Sequence, residues 1–413
     1  MRSVSEHQQV VAGLIAARPP VRVGLVEAEG LVLAADVDAP LSLPVFDNSA
    51  MDGYAVRAED VAGADADHPV RLPVAADIPA GRTDPLTLAP GTTHRIMTGA
   101  PLPAGADAIV PVEATDAGTE TVEIRAASRS GQHVRRAGED VTVGTTVLRA
   151  GQPVTPAALG LAAALGLGEL TVIPRQRVLV MSTGSELVSA GTELKAGQIY
   201  ESNAIMLAAA VREAGGEVVA TPTSSDDVTQ FSAVLEGYSG QADLIITTGG
   251  VSAGAYEVVK DAFGAGAVDF VKVAMQPGMP QGAGRVTGAV GPATSSPGTP
   301  IVTLPGNPVS ALVSFEVFVR PALRAAMGLP SPLRPRRTAV LTEDLTSPGG
   351  KRQFRRGVFD AAAGTVTTYG PPASHHLRWL ASANCLLEIP EDVTAIAAGE
   401  QVSLWDLSSG GHP

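Results

Sequence analysis

The chain has 413 residues, 45% apolar and 17% charged, which is enough to build sizeable cores and excludes a wholly disordered chain. Lys and Arg total 29 against 42 Asp and Glu, a formal net charge of −13, so general nucleic-acid binding through phosphate neutralisation is not expected. The single cysteine, Cys385, excludes an internal disulfide framework and a cysteine zinc cluster.

The opening MRSVSEHQQV lacks the basic region and apolar core of a secretory signal. The run PAALGLAAALGLGEL is broken by glycines and is too short for a membrane span. A soluble, cytoplasmic protein without membrane association is the expectation. At roughly 100–200 residues per domain, two to four domains are expected.

In chain order, a first helix is expected after Ser5, with Gln8 completing a capping box and Val10, Val11, Leu14 and Ile15 on one side; Pro19-Pro20 stops it. A short helical signal around VEAEGLVLAADV follows, then the turn-rich DNSAMDGYAV. From residue 45 to 145, β-prone runs such as HRIMTG, DAIVPVE and TVEIRA sit between Gly, Pro and Asp turns, a β-rich lobe inserted into a helical region. Residues 153–170 read as a helix with Thr155 as cap and Pro156 in its first turn.

Residues 175–330 alternate strand and helix. RVLVMSTG, GEVVATPT, ADLIITTGG, VDFVKVAM and IVTLPGNP read as strands, and 202–214, 227–239 and the stretch through Ala326 as helices. This pattern predicts a three-layer α/β domain with a mostly parallel sheet, whose strands are nearly continuous apolar runs because both faces are buried. GAVGPATSSPGTP reads as a flexible loop, and SPLRPRR as a linker. TAVLTE, RQFRRGVF, TVTTYG, NCLLEIP and QVSLWDL then predict a small C-terminal β domain, antiparallel or barrel-like, before a frayed SSGGHP end. The expected fold is therefore multidomain α/β plus β. Its parts are an N-terminal helical domain (1–44 and 146–174), an inserted β-rich domain (45–145), the α/β domain (175–330) and the C-terminal β domain (331–413).

In an open parallel sheet, ligands sit beyond the carboxyl ends of strands. Three such ends carry small or polar residues: 182–186, 247–252 and 304–308. There is no P-loop pattern and no placed dinucleotide fingerprint. Asp226 and Asp227 precede a helix and read either as a cap with a first-turn acid or as a Mg²⁺ ligand. Glu186 and Glu257 follow glycine turns and read as caps, as surface groups or as further oxygen ligands. Arg135, Arg136, Lys272 and Arg356 serve either solubility or an anionic substrate. His133, His375 and His376 show no metal spacing and read as solvated.

The strings FDNSAMDGYAV, IMTGAPLPAGADAIVPVE, VRRAGED, STGSEL, GQIYESN, TTGGVSAG, QPGMPQG and LPGNPVSALVSFE, with RQFRRG and SANCLL, together resemble the MoeA family of molybdopterin molybdenumtransferases, relatives of the E domain of gephyrin. Their order spans nearly the whole chain. The resemblance implies a molybdenum-cofactor-binding α/β domain and an elongated homodimer. Its active cleft lies between the α/β domain of one subunit and the β-rich insertion of the other. It implies that molybdenum from molybdate is inserted into adenylylated molybdopterin with Mg²⁺-dependent release of AMP, and that a molybdopterin adenylyltransferase is a candidate protein partner.

Matched to the family's segments, the catalytic candidates are Asp52, Thr98, Asp140, Glu186, Asp226, Glu257 and Lys272, with Glu186 and Asp226 on the metal. Thr183, Gly184, Gly249, Gly250, Ser252, Pro305, Gly306, Asn307, Pro308, Arg356 and Ser374 are the cofactor-binding candidates. Ser185 stands where members often carry Asp, Glu257 where they carry Asp, and Gln276 and Met279 where some carry lysine. Attraction of molybdate or phosphate is then weaker or differently arranged. A non-catalytic molybdopterin-binding paralogue or scaffold, and a molybdopterin adenylyltransferase, are the competing readings.

Overall fold

The computed structural model describes residues 1–238, 240–250, 258–286 and 298–408. Its first helix is Val4–Leu14, two residues earlier than the sequence suggested. Ser3 is the cap: its Oγ accepts from Glu6 N–H at 3.1 Å, and a Glu6 carboxylate oxygen accepts from Ser3 N–H at 2.7 Å. Both the Ser3–Glu6 and Ser5–Gln8 quartets fit the capping-box pattern, and the earlier one, with its charged carboxylate at the positive helix end, forms the cap. The Gln8 amide instead donates to the Val317 carbonyl at 3.1 Å. Val4, Val11 and Ile15 are buried in the core of the α/β unit, so this helix packs against the sheet's helical layer.

The helical signal at 26–37 resolves into a single turn, Leu25–Ala28, and two short strands, Val32–Leu33 and Val37–Asp38. Gly30 at φ +69° ends the turn, and Val32–Leu33 joins Val21–Gly24 on either side of Glu169–Ile173. Helix Pro156–Ala164 is capped by Thr155 Oγ1, which accepts from Ala158 N–H at 3.2 Å. The intervening lobe carries a five-stranded sheet in the order Ala108–Pro111, Gly53–Val56, Thr93–Ile96, Val70–Ile78, Thr121–Ile124.

The central sheet runs Glu217–Ala220, Arg177–Thr183, Leu244–Thr248, Thr299–Leu304, Pro280–Val286, Val268–Lys272. The first four strands are parallel and the last two form an antiparallel edge. Pro280–Val286 was not legible as a strand, because its run of Pro and Gly shows neither alternation nor an apolar block.

Alternate residues of Arg177–Thr183 enter opposite cores, as the period of two requires. Val178 and Val180 pack with Leu207, Val211 and Phe315, while Leu179 and Met181 pack with Phe231, Leu235 and Val259. Each such fully buried side chain contributes roughly 1.5–3 kcal/mol. The stretch 308–326 is one composite rod whose middle, Phe315–Val319, is a π-helical segment.

The C-terminal strands Arg336–Leu341, Arg352–Asp360, Thr365–Thr368, Cys385–Ile389 and Gln401–Asp406 close into a barrel, because Arg352–Asp360 pairs both Thr365–Thr368 and Cys385–Ile389. Met275–Gln276, which leads into the antiparallel edge of the central sheet, adds to the barrel by pairing in parallel with Arg352–Gln353. The segment expected as a free linker is anchored. Arg334 is buried and paired with Glu316 at 2.9 Å and Glu213 at 2.7 Å, and Arg320 donates to the Pro332 carbonyl at 3.0 Å. Among the described residues, no helix is long and apolar enough to cross a membrane.

Candidate active site

Strand Arg177–Thr183 runs into Gly184-Ser185-Glu186, Leu244–Thr248 into Gly249-Gly250, and Thr299–Leu304 into Pro305-Gly306-Asn307. These three turns meet at one cleft of about 1080 Å³. Residues 199–203 with Leu187 and Asp226, residues 275–280, and the barrel's Lys351 and 372–377 region supply most of the rest of its wall.

The turns are packed backbone to backbone. Gly249 sits at φ +96°, and a Cβ there would lie 2.7 Å from both the carbonyl oxygen and Oγ1 of Thr183. Only glycine permits that approach together with that backbone angle. Asn203 ties the second and third turns to the start of its helix: its Nδ2 donates to Thr248 Oγ1 at 2.7 Å and to the Gly306 carbonyl at 2.6 Å. Beneath it, the buried Glu201 carboxylate accepts from Ser182 Oγ at 2.8 Å and Ala204 N–H at 2.7 Å.

Asp226 and Asp227 divide the two roles that the sequence left open. Asp227 is the helix cap and accepts from Gln230 N–H at 2.8 Å. Asp226 faces the cleft, where its Oδ2 accepts from Ser185 N–H at 3.0 Å. Its other carboxylate oxygen accepts no protein hydrogen bond among the described residues. Glu186 lines the same cleft, its carboxylate folded back over Gly184. No group of three or more His, Cys, Asp or Glu that could hold a metal occurs among the described residues. Two carboxylates nevertheless suit Mg²⁺, which binds through one or two carboxylates plus substrate phosphate and water.

Thr183, Gly184, Glu186, Asp226, Gly249, Gly250, Pro305, Gly306, Asn307, Pro308 and Ser374 therefore share one cleft. Asn307 Nδ2 donates to Ser374 Oγ at 2.9 Å, joining the sheet side to the barrel side. Ser252 and Glu257 lie outside the described residues.

Five other candidates stand apart from the cleft lining. Lys272 is exposed on the antiparallel edge strand. Arg356 is buried and donates to the carbonyls of His376, at 3.0 Å, and Pro371; burial, then the Arg355 charge, lowers its pKa. Asp52 is exposed in the β-rich lobe and accepts from the N–H and Oγ1 of Thr98, both at 2.7 Å. These bonds, the backbone one foremost, hold its carboxyl below the usual range. Asp140 is exposed, and its N–H donates to the Leu43 carbonyl at 3.1 Å.

Sequence reasoning did not single out Asn203, Tyr200 or Lys351, which all line the cleft, nor the cleft position of His375. Asn203 and Tyr200 lie inside the GQIYESN string, so a signal for them existed; Lys351 had none beyond its place before RQFRRG.

Three family models match the chain: the MoeA N-terminal region (domain I and II) over residues 2–166, the probable molybdopterin binding domain over 179–325, and the MoeA C-terminal region (domain IV) over 338–407. A molybdopterin molybdenumtransferase 2 of Mycobacterium tuberculosis is 69% identical over 415 residues, covering 99% of this chain and 100% of that relative. Molybdopterin molybdenumtransferase 1 of the same organism is 38% identical over 434 residues, covering 100% of both. The crystal structure of a molybdopterin biosynthesis MoeA protein from Pyrococcus horikosii superposes with a TM-score of 0.79 at 29% identity, covering 98% of each chain.

Proposed function

The chain belongs to the MoeA family, and from that membership we propose that it is the enzyme that inserts molybdenum from molybdate into adenylylated molybdopterin, releasing AMP. The observation that carries this reading is the meeting of three glycine-bearing strand ends with Glu186 and Asp226 in one cleft. Such strand ends present backbone amides to anionic groups, and a sheet-end crevice is where an α/β fold binds its ligand.

Glu186 and Asp226 would hold Mg²⁺, which supplies charge neutralisation at the phosphoanhydride. The chain's own residues position the substrate. Gly249 and Gly250 admit the ligand close to the backbone, Asn203 fixes the spacing of the turns around it, and Pro305 and Pro308 bracket the third turn. Arg356 acts on the cleft indirectly, because its guanidinium holds the 371–376 backbone that carries Ser374. Cys385 is buried, which pushes its thiol up to about 12, so it is not available as a thiolate. The sulfurs that take the metal are those of the substrate's dithiolene.

Asp52, Thr98 and Asp140 would act across a homodimer, on the cleft of the partner subunit; they stand outside the cleft of their own chain, and the family resemblance supports that arrangement. Lys272 would contribute an anion contact at the same junction. A cytoplasmic location and a molybdopterin adenylyltransferase as supplier complete the proposal.

The test is incubation with adenylylated molybdopterin, Mg²⁺ and molybdate. Molybdate-dependent AMP release is expected. Adenylylation of molybdopterin from Mg-ATP instead would establish the preceding step, and binding without either reaction would establish a scaffold.

A further inference from the structure

The cleft has an unequal set of charges. Glu186, Glu201 and Asp226 line it, Gln276 and Met279 are uncharged, and Lys351 is the sole Lys or Arg among its described lining residues. The Lys351 ammonium makes no hydrogen bond or ion pair with the protein among the described residues. It is half-buried, so its stem packs on the wall while the charge is left for the cleft.

The backbone that carries this side chain is fixed on both sides. Gly350 N–H donates to the Glu391 carbonyl at 2.7 Å, and Arg352 N–H to the Ala274 carbonyl at 2.9 Å. The Arg352 guanidinium is paired with Glu388 at 3.3 Å and Glu391 at 3.1 Å. Gln353 Nε2 donates to Gln276 Oε1 at 2.9 Å, in register with the pairing of Met275 to Arg352. The neighbours of Lys351 are thus spent on structure and bolt its Cα to the wall segment that holds Gln276. Lys272 and Arg356 do not line this space.

We propose that Lys351 is the oxyanion contact of the cleft, binding a tetrahedral oxyanion: a phosphoryl group or molybdate. An ammonium is a compact charge with three donors, suited to such a group without the fixed planar fork of a guanidinium. The inference rests on the transferase reading only for which oxyanions matter; the binding itself requires no turnover.

The test measures equilibrium binding of molybdate and, separately, of pyrophosphate to the full chain, using wild type, Lys351→Ala, Lys351→Met, Lys351→Arg and the exposed control Lys195→Ala. The Ala and Met variants are expected to lose about tenfold in affinity for at least one anion, the scale of one charged hydrogen bond. Arg is expected to recover part of it, and Lys195→Ala to stay near wild type. Loss confined to molybdate assigns the metal oxyanion, and loss confined to pyrophosphate assigns the phosphoryl group. Wild-type affinity for both anions in folded Lys351→Ala and Lys351→Met overturns the proposal. So does an equal loss in Lys195→Ala, or a wild-type protein that binds neither anion. A wild type that releases no AMP while the Lys351 contrast in binding persists would remove the transferase reading and leave this one standing.

Discussion

Ser185 and Asp226 hold each other through a reciprocal pair: Ser185 N–H donates to Asp226 Oδ2 at 3.0 Å, and Asp226 N–H donates to Ser185 Oγ at 3.1 Å. Two turns 41 residues apart in sequence are thereby locked face to face at the cleft. The serine does more than fill a position where relatives often carry an acid. Its backbone N–H orients the carboxylate proposed to hold Mg²⁺, and its hydroxyl anchors the Asp226 main chain without placing a second negative charge there.

Asp226→Asn keeps an oxygen that can accept from Ser185 and leaves the Asp227 cap untouched. Its melting temperature should stay within a few degrees of wild type, while molybdate-dependent AMP release falls by more than about 100-fold. Ser185→Ala removes the Oγ that accepts from Asp226 N–H but keeps the Ser185 N–H that holds the carboxylate, so apparent Mg²⁺ affinity should weaken by no more than about tenfold, the scale of one neutral hydrogen bond. Mg²⁺ titration of AMP release checks both. A normal titration in folded Asp226→Asn would move the metal to other carboxylates.

Asn203→Asp replaces a double donor by an acceptor facing the Gly306 carbonyl. The lost bonds and the uncompensated charge should cost about 1–3 kcal/mol. Urea denaturation checks the stability. Binding of adenylylated molybdopterin should weaken as well, because the spacing of the turns is no longer held.

His7 is fully buried, edge-on to Phe318 at 4.7 Å, with Arg2 donating to its Nδ1 at 3.4 Å. Burial foremost, with the Arg2 charge, holds its pKa at about 4, against 6.5 for a free imidazole. Between these values the unfolded chain binds the proton and the folded chain does not, so stability falls as pH drops from 6.5 to 4 and is insensitive to this group above. The contribution is roughly 3 kcal/mol at most. Denaturation of wild type and His7→Gln at pH 7 and pH 4 should show the gap between them shrinking or reversing at the lower pH. A constant gap would mean that His7 protonates freely in the folded protein.

Arg334→Ala would leave the buried Glu316 without its bidentate partner, with only the longer Arg320 contact at 3.7 Å, and release the segment before the barrel. A loss of about 3 kcal/mol is expected, the low end for breaking a buried pair because Arg320 still faces Glu316. Glu316→Gln with Arg334→Ala should recover part of it, a comparison that a double-mutant denaturation series reads directly.

The strand ends of the cleft were legible because buried parallel strands are written as apolar runs, and the residues that stop them are small. IVTL ends with its strand at Leu304, LIIT and VLVM stop one and two residues short of Thr248 and Thr183, and Thr155 and Pro156 marked their helix start. The strand Pro280–Val286 was hidden because sheet neighbours on an antiparallel edge, not its own pattern, make it a strand. Ser3 and Ser5 both fit the capping-box pattern, and that pattern alone does not weigh the charged Glu6 of one quartet against the neutral Gln8 of the other. Lys351 and Gln276 meet the site only through the pairing of two distant segments, which no spacing along the chain encodes. Asp52, Thr98 and Asp140 lie outside the cleft lining of their own chain, which the motifs that pointed to them do not reveal.

Because Met275–Gln276 is a strand of the barrel as well as a stretch of the cleft wall, the barrel is joined to the site by main-chain hydrogen bonds. Swinging the barrel outward would break them, and would also pull apart Gln276 and Gln353. A bulky pterin must therefore arrive and leave through the mouth of the cleft, with its walls standing still. Crosslinking the barrel to the sheet should then leave exchange of the pterin unimpeded.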